Sequence, residues 1–289
     1  MSGASGIVRT HLALTLCLVV FAAAAAAAEP AAKRVVSIGG SLTEIIYALG
    51  EQDRLVARDT TSIYPDAAQW LADVGYMRRL SAEGILAVDP DLILAEEGSG
   101  PPETIALLDA ARVPFVTVPD GFDRAAIAAK IQAVADRLGV PDKGTELATR
   151  TEASLQAAEA MAAAQQGKKR VMFILSTQGG RIMASGRGTA ADGIIALSGA
   201  INALDAFEGY KPVTDEAITA AAPDAILMMD RGGGHGTVEQ VLAMPAIATT
   251  PAAASRAIVT MNGLYLLGFG PRTAQAAFDL NAALYGSEG

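Results

Sequence analysis

Two stretches of this 289-residue chain echo each other at nearly constant spacing. KRVVSI at 33–38 returns as KRVMFIL at 169–175, and LSAEGILAVDPDLILA at 80–95 returns as VTDEAITAAAPDAILMM at 213–229. Arg34 and Arg170 stand 136 residues apart, Glu83 and Glu216 133, and Pro90 and Pro223 again 133. Two copies of one unit explain this most simply. In each copy short β-branched runs (RVVSI, DLILA and FVTV; then VMFIL, AILMM and AIVTM) alternate with alanine-rich amphipathic segments. That alternation predicts a parallel sheet with helices on both faces. Gly39-Gly40 closes the first strand, and Ser41 with Glu44 has the spacing of a capping box. Between the copies, residues 142–167 carry no proline and no turn signal after Gly144, so one long helix bounded by Pro141 and Gly167 is expected. The fold class is α/β: two Rossmann-like lobes with parallel sheets (33–140 and 168–286) joined by one rigid helix (141–167). A ligand cleft lies between the carboxyl ends of their strands.

Residues 1–28 hold one basic residue, Arg9, no acidic ones, an apolar run from Leu12 to Phe21 and an alanine series ending at Ala28. This reads as a cleavable secretory signal cut after Ala28, and hence as a periplasmic protein. Cys17, the chain's one cysteine, falls inside that run, so the mature chain has no disulfide and no thiol chemistry. Losing Arg9 takes the net charge from −9 to −10 with no block of like charge, which disfavours nucleic acid. No later segment is long and apolar enough to span a bilayer.

The segment LADVGYMRRLSAEGI (71–85) puts a phenol, Tyr76, directly before Met77, Arg78 and Arg79, with a helix resuming at Ser81. Alone, those residues read as a surface aromatic with solvated charges. The glycine-rich stretches IGGSLTE, QGGRIMASGRGTAADG and RGGGHG match neither phosphate-binding nor dinucleotide-binding spacing, and are read as turns lining the cleft. An enzyme is disfavoured: without cysteine, and with His235 the sole histidine after the signal, no nucleophile has a convincing base. Glu96 and Glu97 are adjacent on a strand, so they point to opposite faces.

RVVSIGGSLTEIIYALG, then RDTTSIYPDAAQWLADVGYMRRLSAEGILAVDPDLILAEEGSGPPE, then SGRGTAADGIIALSGAINALDAFEGYKPVTDEAI together resemble the periplasmic haem-binding proteins of bacterial haem-uptake ABC transporters. The similarity runs over about residues 33–286, in a wider clan that includes cobalamin and ferric-siderophore binders. The V-G-Y-x-R-x-L and E-G-Y-K-P segments point to haem. The resemblance implies ferric haem b as a transported ligand, an inner-membrane ABC permease dimer with its ATPase as partner, and a monomer that is not itself membrane-embedded.

Haem chemistry fits these residues. Ferric haem needs a hard oxygen donor, apolar flanks and cations for its propionates. Tyr76 can supply a phenolate as the iron's axial ligand, because a metal lowers the pKa of a group that otherwise titrates near 10. Arg78 is placed to bind a propionate or steady the phenolate. Met77 is read as packing, since thioether sulfur suits reduced iron better. The resemblance gives Arg231 a hydrogen bond to the axial tyrosine; its alternative is a pairing with Asp230. Tyr210 is either a second ligand or stacking ring or a turn residue fixed by Pro212, and Lys211 is a candidate for a propionate. His235, in GGGHG, is a loop residue by preference and a distal ligand as the minority reading. Glu103 and Glu239 match the acidic positions that the family's lobe rims offer to permease arginines; the helix dipole alone also explains them. Cobalamin or a ferric siderophore in the same fold is the alternative cargo.

Overall fold

The computed structural model describes residues 32–230 and 237–286. The segment 1–28 expected to be a secretory signal, Arg231 and His235 lie outside the described residues. Residues 32 onward form one compact unit.

The first lobe runs β1 (Val35–Ile38), α1 (Gly40–Ala48), β2 (Leu55–Arg58), β3 (Ala72–Asp73), α2 (Ala82–Leu86), β4 (Leu92–Glu96), α3 (Pro102–Ala110), β5 (Phe115–Val118) and α4 (Arg124–Arg137). Helix α5 (Pro141–Ala164) follows. The second lobe then runs β6 (Arg170–Ser176), β7 (Met183–Ser185), α6 (Ala190–Leu197), β8 (Ile201–Asn202), β9 (Tyr210–Pro212), α7 (Asp215–Ala221), β10 (Ala225–Asp230), α8 (Val238–Leu242), α9 (Pro245–Ala248), α10 (Pro251–Ala254), β11 (Ile258–Asn262), α11 (Gly263–Leu267) and α12 (Thr273–Tyr285).

The first sheet has the order β3-β2-β1-β4-β5 and is parallel throughout. The second has the order β11-β10-β6-β7-β9. Read outward from the echoed strands, β1 corresponds to β6, β4 to β10 and β5 to β11, so the echo in the sequence marks equivalent elements. The second sheet departs from the expected parallel arrangement. Its β7 pairs antiparallel with both β6 and β9, because β7 follows β6 through only a short turn, Gln178–Gly180, and a parallel return would need a crossover helix.

Helix α5 buries Leu147, Ala148, Thr151, Leu155, Ala158 and Ala162, a stripe at helical spacing. It packs on α4 of one lobe and on α6 and α12 of the other. One continuous core joins Val35, Leu42 and Ile131 of the first lobe to Phe173, Leu227 and Ala277 of the second. The lobes are therefore fused through shared apolar burial as well as through α5.

The expected capping box at Ser41 and Glu44 is overturned. The N-cap of helix α1 is Gly39, two residues before Ser41, and no side chain of its own caps it. Gly39 has φ +114, and a Cβ there would lie 2.7 Å from the Glu96 Cβ, so only glycine fits. The first amides are satisfied from another loop: Gly39 N–H donates to Asp59 Oδ1 (3.0 Å) and Gly40 N–H to Thr61 Oγ1 (3.0 Å). Ser41 and Glu44 are thereby free to serve contacts elsewhere.

Candidate functional site

Strand β3 is two residues long and lies at the sheet edge, yet the loop after it is firmly held. Val74 N–H donates to the Arg58 carbonyl (3.0 Å) and Thr60 N–H to that of Gly75 (3.0 Å), extending the ladder beyond the strand. Gly75, at φ +94, turns the chain. Arg79 N–H then closes on the Tyr76 carbonyl (2.7 Å), Gly100 N–H donates to that of Met77 (2.9 Å), and Leu80 N–H to that of Gly100 (2.9 Å). Val74, Met77 and Leu80 are buried in the first lobe's outer core, while Tyr76, Arg78 and Arg79 are exposed. Met77 is thus a packing residue, as its chemistry suggested. The outcome is a phenol, 39% exposed, on a backbone fixed on both sides. Ser81 caps α2 by accepting from Gly84 N–H (3.3 Å), so a helix does resume there.

On the second lobe, Tyr210 and Lys211 are exposed residues of the edge strand β9, so Tyr210 sits in a ladder and not in a turn. Its ring meets Phe173 edge-on at 6.3 Å. Lys211 lies over the Phe207 ring at 5.7 Å. Strand β9 holds the place in the second sheet that β3 holds in the first, so Tyr76 with Arg78, and Tyr210 with Lys211, belong to corresponding edges of the two lobes.

The lobes meet at the carboxyl ends of their strands. A Cβ on Gly40, at the start of α1, would lie 2.5 Å from Leu264 Cδ1 of α11. Arg272 of the second lobe donates through Nη2 to Glu44 Oε2 (2.8 Å) and through its backbone N–H to Oε1 (3.1 Å). Its guanidinium lies between the rings of Tyr64, at 3.4 Å, and Tyr265, at 5.0 Å. Tyr265 donates to Asp279 Oδ2 (2.7 Å); burial first, and then that carboxylate, push its pKa up.

Beside this seam is a second charged group. Lys130 of α4 is fully buried. Its Nζ donates to Asp120 Oδ1 (2.5 Å), Glu96 Oε1 (3.1 Å), Ser41 Oγ (3.2 Å) and the Phe269 carbonyl of the other lobe (3.4 Å). One cation cannot balance two ionised carboxylates, and burial pushes the Glu96 carboxyl upward against the pull of Lys130. Glu97 lies in the turn after β4, outside the strand on which it was expected, and accepts from Asp120 N–H (3.3 Å).

Sequence reasoning missed Lys130, Arg272, Tyr64 and Tyr265. Glu44 and Arg272 are 228 positions apart, and no local pattern signals such a pair. Glu103 and Glu239 open α3 and α8, which follow the equivalent strands β4 and β10, and both are exposed. Glu239 is already paired with Arg256 (3.4 Å). The echoed pair Glu83 and Glu216 likewise opens equivalent helices, α2 and α7, and both are exposed. Among the described residues neither forms an ion pair. The echo that exposed the fold carried this second pair from the start.

Two α/β lobes fused through one core, meeting at the carboxyl ends of their sheets and displaying aromatic and cationic side chains at corresponding edges, define a bilobal solute-binding protein. The chain belongs to the periplasmic binding protein family, whose sequence profile matches residues 35–263. Its structure superimposes with a TM-score of 0.83 on the periplasmic heme-binding protein BhuT in complex with two hemes, at 43% identity over 87% of this chain and 97% of that one. A vitamin B12-binding protein of Yersinia pestis is 30% identical over 73% of this chain and 72% of its own length. An uncharacterised ABC transporter substrate-binding lipoprotein of Bacillus subtilis, YvrC, is 29% identical; the alignment spans 68% of this chain and 64% of that protein. Among the described residues no helix is long and apolar enough to cross a membrane.

Proposed function

We propose that this protein binds ferric haem b in the interlobe cleft of the periplasm and delivers it to an inner-membrane ABC permease. The observation that carries the reading is Tyr76: an exposed phenol on a loop pinned by its buried neighbours and by Gly100. A hard oxygen donor fixed in advance is what a ferric centre rewards. The similarity to BhuT with two hemes supports haem over cobalamin, since identity to the B12-binding relative is lower and covers less of the chain.

In this reading Tyr76 is the axial ligand and Arg78, exposed two residues on, takes a propionate. Arg231 steadies the phenolate. Tyr210 offers a stacking face and Lys211 a second cation from the other lobe, while His235 is the alternative distal ligand. Residues 1–28 are a cleaved signal, and the mature protein works as a monomer. Docking uses acidic residues at equivalent places on both lobes, Glu103 with Glu239 or the unpaired Glu83 with Glu216. Two lobes related by an internal repeat suit a partner of two like subunits.

The test is an absorbance titration of the purified mature protein with hemin, run beside cyanocobalamin. A saturable Soret band with one or two equivalents of hemin and no response to cobalamin is expected; the opposite pattern would transfer the assignment to cobalamin.

A further inference from the structure

The loop bearing Tyr76 is tied to the sheet by a side-chain brace that the ligand assignment leaves unused. Asp73, the last residue of β3, uses both carboxylate oxygens. Oδ1 accepts from Gly75 N–H (2.8 Å) and Oδ2 from Arg58 Nη1 (2.6 Å). Arg58 is the last residue of β2, and the same Nη1 reaches the Asp59 carbonyl (3.1 Å). Asp59, fully buried, accepts from Gly39 N–H, Thr61 N–H and the hydroxyls of Thr61 and Ser62. A line of contacts thus runs from the centre of the sheet through Asp59, Arg58 and Asp73 to the amide immediately before Tyr76.

Two features set this brace apart from an ordinary edge ion pair. The Arg58 side chain is only 12% exposed, and its Nε is buried with no hydrogen-bond partner among the described residues. An unsatisfied buried donor is unfavourable, so the guanidinium holds this pose at a cost, with its shortest contact made to Asp73. The second feature is what the brace acts on. Gly75 has φ +94 and its prospective Cβ meets nothing nearer than the Arg79 carbonyl at 3.9 Å. Neighbouring packing therefore does not dictate its turn; hydrogen bonds do, Thr60 N–H holding its carbonyl and the Asp73 carboxylate its N–H.

We infer that Arg58 and Asp73 are positioning residues for Tyr76, setting the direction of the phenol before ligand arrives. This rests on Tyr76 as haem ligand, and it gives that ligand a device for preorganisation. An asparagine keeps Oδ1 for the Gly75 amide but loses the oxygen that accepts from Arg58, so it should keep part of the effect, and an alanine should lose it.

The experiment compares Asp73→Ala, Asp73→Asn and Arg58→Lys in the mature protein, alone and with Tyr76→Phe. Asp73→Ala should weaken hemin binding roughly 10- to 100-fold and alter the phenolate-to-iron absorption, and Asp73→Asn should recover both in part. Arg58→Lys keeps the charge but not the planar guanidinium that places Nη1 against both Asp73 Oδ2 and the Asp59 carbonyl, so it should fall between. In the Tyr76→Phe background Asp73→Ala should add no further loss. A full additional loss in that background, or an asparagine as damaging as alanine, overturns the inference. Amide exchange in the ligand-free protein separates it from the haem reading: Gly75, whose N–H the carboxylate holds, should exchange faster in Asp73→Ala and less so in Asp73→Asn. Unchanged exchange in Asp73→Ala overturns the brace whatever the ligand proves to be.

Discussion

The two lobes share a strand order but are stabilised differently where they face each other. In the first, α4 follows β5 and buries Lys130 among Glu96, Asp120 and Ser41. In the second, α12 takes the same place after β11 and buries Thr273, Ala274, Ala276, Ala277, Leu280 and Leu284. The edges differ as well. The first lobe's outermost strand is two residues followed by a braced loop, and the second's is an antiparallel strand that carries its aromatic residue within the ladder. A repeat thus preserves the apolar frame, while polar contacts diverge according to which lobe must fix a functional loop.

The largest effect expected from breaking this asymmetry is on stability. Lys130→Met leaves the largely buried Glu96 and the partly exposed Asp120 without their cation, a loss of about 3 kcal/mol, the low end for a broken buried pair. Ala277→Gly in α12 should cost only about 2 kcal/mol, about 1 from helix propensity and about 0.8 from the buried methyl it removes. Urea unfolding of the two variants measures both. Equal losses would mean that the charged group is a solvated bystander.

Next comes the comparison of the two edge tyrosines. Tyr76→Phe removes the ligand oxygen and should weaken hemin by roughly 100-fold, about 2.7 kcal/mol. Tyr210→Phe keeps the ring against Phe173 and should change affinity by less than about tenfold. Hemin titrations with spectra of the bound forms decide it. If Tyr210→Phe has the larger effect, the second lobe supplies the iron ligand and the first lobe's loop supplies contacts only.

What the sequence made legible follows the same division. The echo, the strand runs and the proline-free helix are local periodicities, and they read through to β1/β6, β4/β10, β5/β11 and α5. The Tyr76 segment stood out only through its family resemblance, since alone it reads as a surface aromatic with solvated charges; the burial of Val74, Met77 and Leu80 that fixes its backbone appears only in the fold. Ser41 and Glu44 misled because their spacing was right while the acceptors that cap α1 come from Asp59 and Thr61, across the sheet. The antiparallel β7 and β9 were hidden for a related reason, since a strand of three residues has too short a period to state its direction. Lys130, read on its own, was one charge on an amphipathic helix; only the fold brings Glu96, Asp120 and Phe269 around it.

A smaller effect sharpens the same cluster. The Glu96 pKa is raised above its ordinary value of 4.5, by burial first and then by Asp120. Above 4.5 the folded protein therefore holds this proton more tightly than the unfolded chain does. The contribution to stability is fully present below 4.5 and is lost as pH rises through the raised folded value. Glu96→Gln stands in for the permanently protonated form, so its stability relative to wild type should improve as pH rises through that window. Urea midpoints across pH 4.5 to 7 provide the difference, and a constant gap would show that Glu96 is ionised throughout.

The smallest effects belong to docking, where the lobes are most alike. Each offers two exposed glutamates at equivalent helix starts, but Glu239 is held by Arg256 while Glu83, Glu216 and Glu103 have no ion pair among the described residues. Exposed pairs contribute little one at a time. Two contacts at a fixed separation act together, because the first raises the effective concentration of the second. A double substitution spanning both lobes should therefore reduce haem-stimulated ATPase activity of the reconstituted transporter by more than the product of its single effects. Hemin affinity should be unchanged. Glu83→Lys with Glu216→Lys tests the unpaired positions, and Glu103→Lys with Glu239→Lys the cleft-side ones. If docking needs carboxylates not already neutralised within the protein, the first combination should be the more harmful, and Arg256→Ala should then narrow the difference by releasing Glu239. Full stimulation by both double variants would leave these glutamates as helix-start residues and move the docking surface off the lobe rims.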